Sequence, residues 1–226
     1  MTIRDVTAPR LSSIEPFEDA SAGPAVRGFL HRPAGPPRRG LVLTHGAGSD
    51  CEAPLLLAVA GAFARAGFTV LRYDLPFRQA RAVGPPSPAG AEHDRAGLRR
   101  AVGALQSLVR GRVSLGGHSY GGRQASMLLA KEPALAEALL LLSYPLHPPR
   151  RPTEWRTEHL SALGVPALFV HGSRDPFGSL RELSEAMRLI PARTALVPVD
   201  GAGHDLGRGG APLEPIVEAF SRLLRA

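Results

Sequence analysis

The amino-acid sequence predicts an α/β domain: a mostly parallel sheet with helices packed on both of its faces. The alternation of two kinds of segment predicts it. Short apolar runs bounded by Gly or Pro alternate with longer runs of helical period. That alternation means βαβ units, and such units build a parallel sheet covered on both sides. The chain has 226 residues, a length that suits one well-buried core. A single domain over 1–226 is expected, with its core spanning about 26–225.

The elements follow in order. Residues 26–31 read as an antiparallel edge strand. Residues 41–45, LVLTH, are short and apolar and end at Gly46. Residues 54–66, rich in Ala and Leu and closed by Gly67, predict a helix. A strand follows over 68–73. Residues 91–109 predict a helix, with Leu98, Val102 and Leu105 near helical spacing. A strand over 112–115 and a helix over 120–131 come next. Strands are expected at 138–142, 166–171 and 194–197, and helices at 180–189 and 212–224. Two Pro-rich stretches interrupt this rhythm, each with four prolines: DLPFRQARAVGPPSPAG (74–90) and SYPLHPPRRPT (143–153). Both follow strands, so both fall on the sheet's carboxyl side, where open α/β sheets hold ligands. They serve the site or are plain surface connections.

Composition excludes several classes. The net charge is +7, yet nearly all of the positive charge is Arg, scattered along the chain, and Lys131 is the single lysine. No basic block or aromatic-interleaved stripe marks a nucleic-acid footprint, so no nucleic-acid partner is expected. No apolar run approaches a membrane span, and the amino-terminal segment lacks the apolar stretch of a secretory signal; no membrane partner and a cytoplasmic location are expected. Cys51 is the only cysteine, and no Cys/His group has zinc spacing. Neither a metal nor an organic cofactor is implied.

The chemistry is expected around Gly117-His118-Ser119-Tyr120-Gly121, a G-x-S-x-G between a strand and a helix. A strand that turns sharply into a helix strains the backbone of its turn residue. It also brings the flanking positions too close to their neighbours for a Cβ, a place for Gly117 and Gly121. The Ser119 hydroxyl then stands above the sheet at a helix N-terminus, where developing negative charge is favoured. Without that context the plainer reading is a Gly-rich packing turn. A serine needs a base, and the base an orienting carboxylate. In chain order after Ser119, Asp175 in HGSRDPF and His204 in DGAGHD each follow a strand. Asp200 and Asp205 are alternatives to Asp175, but both lie close to His204 in sequence. The expected oxyanion donors are the backbone N–H groups of Tyr120 and of Ala47, in the Gly-rich loop HGAG. That loop lacks the spacing of a phosphate-binding loop. His45, Phe77, Tyr144 and Phe177 are candidate walls of an acyl pocket, and ordinary packing is the competing reading of the aromatic three.

LVLTHGAG, GGHSYGG, HGSRDPF and GAGH, in that order, resemble the α/β-hydrolase superfamily. More narrowly, LTHGAGSD, RYDLPF, GGHSYGGRQASML and SYPLHPP look like a small cytosolic branch near the dienelactone-hydrolase family. That branch includes testis-expressed hydrolase-like proteins and the hydrolase-like domain of a non-specific-lethal acetyltransferase complex subunit. The resemblance implies ester, thioester or amide hydrolysis through an acyl-enzyme on a small-molecule acyl substrate. Ser119 would be nucleophile, His204 base and then acid, and Asp175 the orienter. Dienelactone hydrolases proper use a cysteine where this chain has Ser119, so lactone specificity does not transfer. The short segment after residue 142 leaves no room for a large lid, which points to short-chain esters. Some relatives in the narrow branch are protein-interaction domains, so a non-enzymatic interaction module is the alternative. Acyl transfer to a nucleophile other than water, including perhydrolysis, is a further one.

Overall fold

The computed structural model describes residues 11–207 and 210–225. Among these residues eight strands form one sheet: β1 (Leu11–Asp19), β2 (Val26–Pro33), β3 (Arg39–Thr44), β4 (Phe68–Tyr73), β5 (Val113–His118), β6 (Leu139–Leu142), β7 (Ala167–Gly172) and β8 (Thr194–Val199). Their spatial order is β1-β2-β4-β3-β5-β6-β7-β8. β1 and β2 run antiparallel, as do β2 and β4; every other neighbouring pair is parallel. Among the described residues six helices accompany them: α1 (Pro54–Arg65), α2 (Pro76–Ala80), α3 (Ala91–Gln106), α4 (Tyr120–Lys131), α5 (Leu180–Met187) and α6 (Leu213–Leu223). The expected α/β architecture is therefore present, with ends shifted by a few residues.

The four leucines of β6 explain the layering. Successive side chains on a strand point to opposite faces. Leu139 and Leu141 enter one core with Leu98 and Leu105 of α3 and Leu128 of α4. Leu140 and Leu142 enter the other with Leu56 and Phe63 of α1 and Phe220 of α6. Phe63 and Phe220 meet edge to face, with centroids 5.5 Å apart, a geometry worth about 0.5–1.5 kcal/mol beyond burial. A strand covered on both faces needs no polar alternation, so the unbroken LLLL is its signature.

One correction concerns the sheet's amino-terminal edge. β2 is not the edge strand; β1 pairs outside it, with Glu18 opposite Arg27 and Glu15 opposite Leu30. An edge strand is covered on one side only. Ile14 is accordingly exposed, and Pro16 sits where no further strand asks for its missing N–H. The ion pairs Arg27–Glu18 (2.9 Å) and Arg32–Glu15 (2.7 Å) join the two strands. β5 is also longer than expected. Gly116 and Gly117 belong to the strand, paired with Leu43 and Thr44 of β3.

The connection from β6 to β7 holds only one short 3-10 turn, Leu160–Ala162, and no lid domain. Among the described residues no helix is long and apolar enough to cross a membrane.

Candidate active site

The turn from β5 into α4 carries Ser119 at φ 50°, ψ −115°. Positive φ in a residue with a Cβ costs about 1–3 kcal/mol and persists only where the surroundings impose it. Here they do. The Ser119 N–H donates to the Leu142 carbonyl (2.8 Å), and the Ser119 carbonyl accepts from the Arg123 N–H (3.0 Å). A Cβ on Gly121 would lie 2.5 Å from the His45 carbonyl oxygen, and one on Gly117 would lie 2.8 Å from the Gly121 carbonyl carbon. The close approach inferred from the sequence is thus the reason that the serine stands proud of the sheet.

Asp175 and His204 come to it from the ends of β7 and β8. His204 Nε2 lies 2.8 Å from Ser119 Oγ, and His204 Nδ1 lies 2.8 Å from Asp175 Oδ2 and 3.0 Å from Oδ1. The Asp175 carboxylate is fully enclosed and also accepts from the Phe177 N–H (2.9 Å). A carboxylate on Nδ1 makes Nδ1 the protonated nitrogen and leaves Nε2 as the acceptor facing the hydroxyl. Asp200 bonds instead to Ser173 (3.1 Å). The Phe177 ring stacks on His204, centroids 4.2 Å apart.

The two expected donors also converge. Ala47 and Tyr120 line the same cavity as Ser119. Gly121 N–H donates to the His45 carbonyl (3.2 Å), which ties the start of α4 to the loop carrying Ala47. Neither the Ala47 nor the Tyr120 N–H has a protein acceptor among the described residues. The cavity measures about 480 Å³ and is walled by Pro85, Pro86, Pro88, Pro145, Arg156 and Phe177, among others. Both Pro-rich stretches therefore face the site. A larger groove of about 680 Å³, between α1 and α6, includes none of the residues named for the chemistry.

Three of the four expected pocket walls lie one layer deeper. His45 is fully buried; its Nε2 accepts from the Leu75 N–H (3.1 Å) and its Nδ1 donates to the Gly46 carbonyl (2.8 Å). This pattern fits a neutral ring, and burial lowers its pKa. Phe77 packs between the His45 and Tyr120 rings (5.5 and 5.7 Å). Tyr144 is buried, and its hydroxyl donates to the Arg156 carbonyl (2.8 Å). All three brace the site from behind. Of the four, Phe177 alone lines the cavity.

Sequence reasoning missed several supports. Arg78 donates to the carbonyls of Ser49 (2.9 Å) and Ala47 (2.9 Å), and to those of Ala82 (2.7 Å), Arg81 (3.3 Å) and Gly84 (3.3 Å). One guanidinium thus ties the Ala47 loop to the first Pro-rich stretch. Buried Asp94 accepts from Tyr120 Oη (2.7 Å) and the Phe77 N–H (3.0 Å). His118 lies against the ring of His204 at 5.2 Å, and its Nε2 donates to the His204 carbonyl (2.8 Å). Burial pushes its pKa down to about 4. Its one visible signal was adjacency to the serine. No group of three or more His, Cys, Asp or Glu side chains is placed to hold a metal ion among the described residues.

The comparisons agree with this architecture. The chain is similar to dienelactone hydrolase from Anabaena variabilis at 20% identity and TM-score 0.70, covering 96% of this chain and 98% of that one. It is similar to Est1E from Butyrivibrio proteoclasticus at 16% identity and TM-score 0.75, covering 94% and 100%. TT1662 from Thermus thermophilus matches at 24% identity and TM-score 0.72, covering 95% and 100%. Likenesses of this depth establish a shared fold. The model of the alpha/beta hydrolase domain matches residues 37–211. With a strained serine turn above a parallel sheet, and that match over most of its length, the chain belongs to the alpha/beta hydrolase domain family.

Proposed function

We propose that the protein is a serine hydrolase that cleaves short-chain esters or thioesters through an acyl-enzyme. One observation carries the reading: His204 bridges the Ser119 hydroxyl and the enclosed Asp175 carboxylate at 2.8 Å on each side. As Ser119 Oγ attacks the acyl carbon, His204 Nε2 takes its proton, and Asp175 stabilises the imidazolium. The carbonyl oxygen, now negative, is held by the free N–H groups of Ala47 and Tyr120. Loss of one such donor costs about 2.7–4 kcal/mol in enzymes of this kind. The proton passes from His204 to the leaving oxygen or sulfur, and the acyl–leaving-group bond breaks. Water then adds to the acyl carbon, giving a proton to His204, and Ser119 Oγ departs as that proton returns to it. The cavity's modest volume and proline walls support a small acyl group.

The test is Ser119→Ala with 4-nitrophenyl acetate. Turnover should fall by about 10⁴-fold or more, fluorophosphonate labelling should vanish, and the circular dichroism spectrum should be unchanged. Undiminished turnover in a folded variant would remove Ser119 from the mechanism.

A further inference from the structure

The cavity above Ser119 contains two guanidinium groups, Arg123 and Arg156. Neither has a carboxylate within 4.0 Å among the described residues. Arg123 Nε is shielded from solvent and has no hydrogen-bond partner. Other arginines nearby are spent. Arg95 bonds to Glu92 and to Gln124, and Arg99 to Glu132. Glu154 and Glu158 lie two residues to either side of Arg156 in sequence; Glu154 is engaged by Arg151 at 3.1 Å, and neither is within 4.0 Å of the Arg156 guanidinium among the described residues.

The placement of the pair is built rather than incidental. Arg123 stands one helical turn beyond Ser119, a rise of about 6 Å along α4. Arg156 is held by its backbone on both sides: its N–H donates to the Leu146 carbonyl (2.8 Å), and its carbonyl accepts from Tyr144 Oη (2.8 Å). Two like charges face one partly buried cavity, and among the described residues no carboxylate is paired with either. Burial and then the Arg123 charge lower the Arg156 pKa. A planar fork of N–H donors matches a carboxylate two bonds at a time, and an anion there would relieve both the repulsion and the orphaned donor.

We infer that Arg123 and Arg156 form an anion subsite beside Ser119, so that the preferred substrates are esters or thioesters carrying a carboxylate a few bonds from the scissile carbonyl. The inference rests on the serine-hydrolase reading for its reaction but on the arginine pair for its specificity. The bonds made and broken are those already described; the carboxylate takes no part in them. Arg78 does not belong to this subsite, since its donors are spent on backbone carbonyls.

The test compares isosteric pairs. Mono-4-nitrophenyl glutarate against 4-nitrophenyl pentanoate places the charge on the acyl side. 4-Acetoxybenzoate against its methyl ester places it on the leaving side. In at least one pair kcat/KM should favour the anion by about tenfold or more, a modest ratio for a site whose donors pair only with the right substrate. Arg123→Gln and Arg156→Gln should each cut that ratio by about tenfold, with part of it restored by Arg123→Lys. Arg110→Gln, on the exposed surface, should leave the ratio unchanged. A wild-type ratio at or below one in both pairs, with Ser119-dependent turnover present, overturns the subsite and spares the hydrolase. If no ester is turned over, glutarate binding by calorimetry decides. Binding that is lost in Arg123→Gln upholds the subsite, and its absence in the wild type refutes it.

Discussion

The floor and the rim of the cavity are built on opposite principles. On the floor, nearly every polar atom has its partner: Ser119 on His204, His204 on Asp175, Asp175 on the Phe177 N–H, and the His204 carbonyl on His118. The Ala47 and Tyr120 N–H groups have no protein acceptor among the described residues, and they lie where an oxyanion would form. On the rim, one arginine saturates five carbonyls while two others keep their donors free. The difference teaches how the two levels divide labour. A reacting group must be held in one geometry, which satisfied hydrogen bonds and close packing provide. A selecting group must still have something to offer an incoming molecule.

The sharpest way to break this contrast is to disturb the floor without moving it. Asp175→Asn keeps the shape of the carboxylate but presents an amide to His204 Nδ1. The imidazole then favours the tautomer with its proton on Nε2, which cannot accept from Ser119. In serine hydrolases this change lowers kcat about 10⁴-fold with the geometry intact. The same loss is expected here for neutral and anionic esters alike, with fluorophosphonate labelling slowed in parallel. A loss under tenfold would mean that Asp175 is not the orienting group.

The rim's structural arginine is next. Arg78→Met keeps the long apolar stem over the Phe77 ring, which the guanidinium now covers at 5.0 Å. It removes the donors that hold the Ala47 and Ser49 carbonyls. The Ala47 N–H then loses its fixed aim, and kcat/KM should fall by about 10–100-fold, as for a misplaced oxyanion donor. The fall should appear mainly in kcat and leave the anionic-to-neutral ratio as it was. A change in that ratio would make Arg78 a selecting residue and dissolve the distinction between the two kinds of arginine.

That distinction was hidden in the sequence, and the reason is physical. The serine turn, Asp175 and His204 were legible because their positions follow from the backbone: strands end on one side of a parallel sheet, and Gly marks close approach. Central strands were legible for the same reason, since an unbroken LLLL, as in β6, suits a strand buried on both faces. β1 was not, because an edge strand shows half a hydrophobic pattern and this one contains Pro16. The arginines were not, because a guanidinium's role depends on which acceptors surround it. Arg78 and Arg123 look alike until the Ala47 and Ser49 carbonyls are found bonded to one guanidinium and no described acceptor to the other. His45, Phe77 and Tyr144 were given the right neighbourhood and the wrong layer. A strand-end position fixes proximity, whereas facing in or out is decided by packing against α2 and the segment around residue 156.

The smallest expected effect concerns the histidine behind the floor. His118 holds the His204 carbonyl and is kept neutral by burial, with its pKa lowered to about 4 against 6.5 unperturbed. The charges around it are His204, which lowers the value further, and Asp175 and Asp205, which raise it. The unfolded chain protonates this ring below about pH 6.5, whereas the folded chain resists until about pH 4. Between those limits the unfolded state binds more protons, so stability falls as the pH falls and levels off below 4. His31 and His159, also lowered to about 4 by burial, add the same sign. Replacing His118 with Asn should make the decline shallower, by at most about 1.4 kcal/mol per pH unit. Urea melts of the wild type and His118→Asn at pH 7.5, 6, 5 and 4 measure that slope. Identical slopes would mean that His118 takes up its proton at the same pH folded and unfolded. The floor would then carry a charged His118 imidazole in mild acid, and its full satisfaction would hold only above that pH.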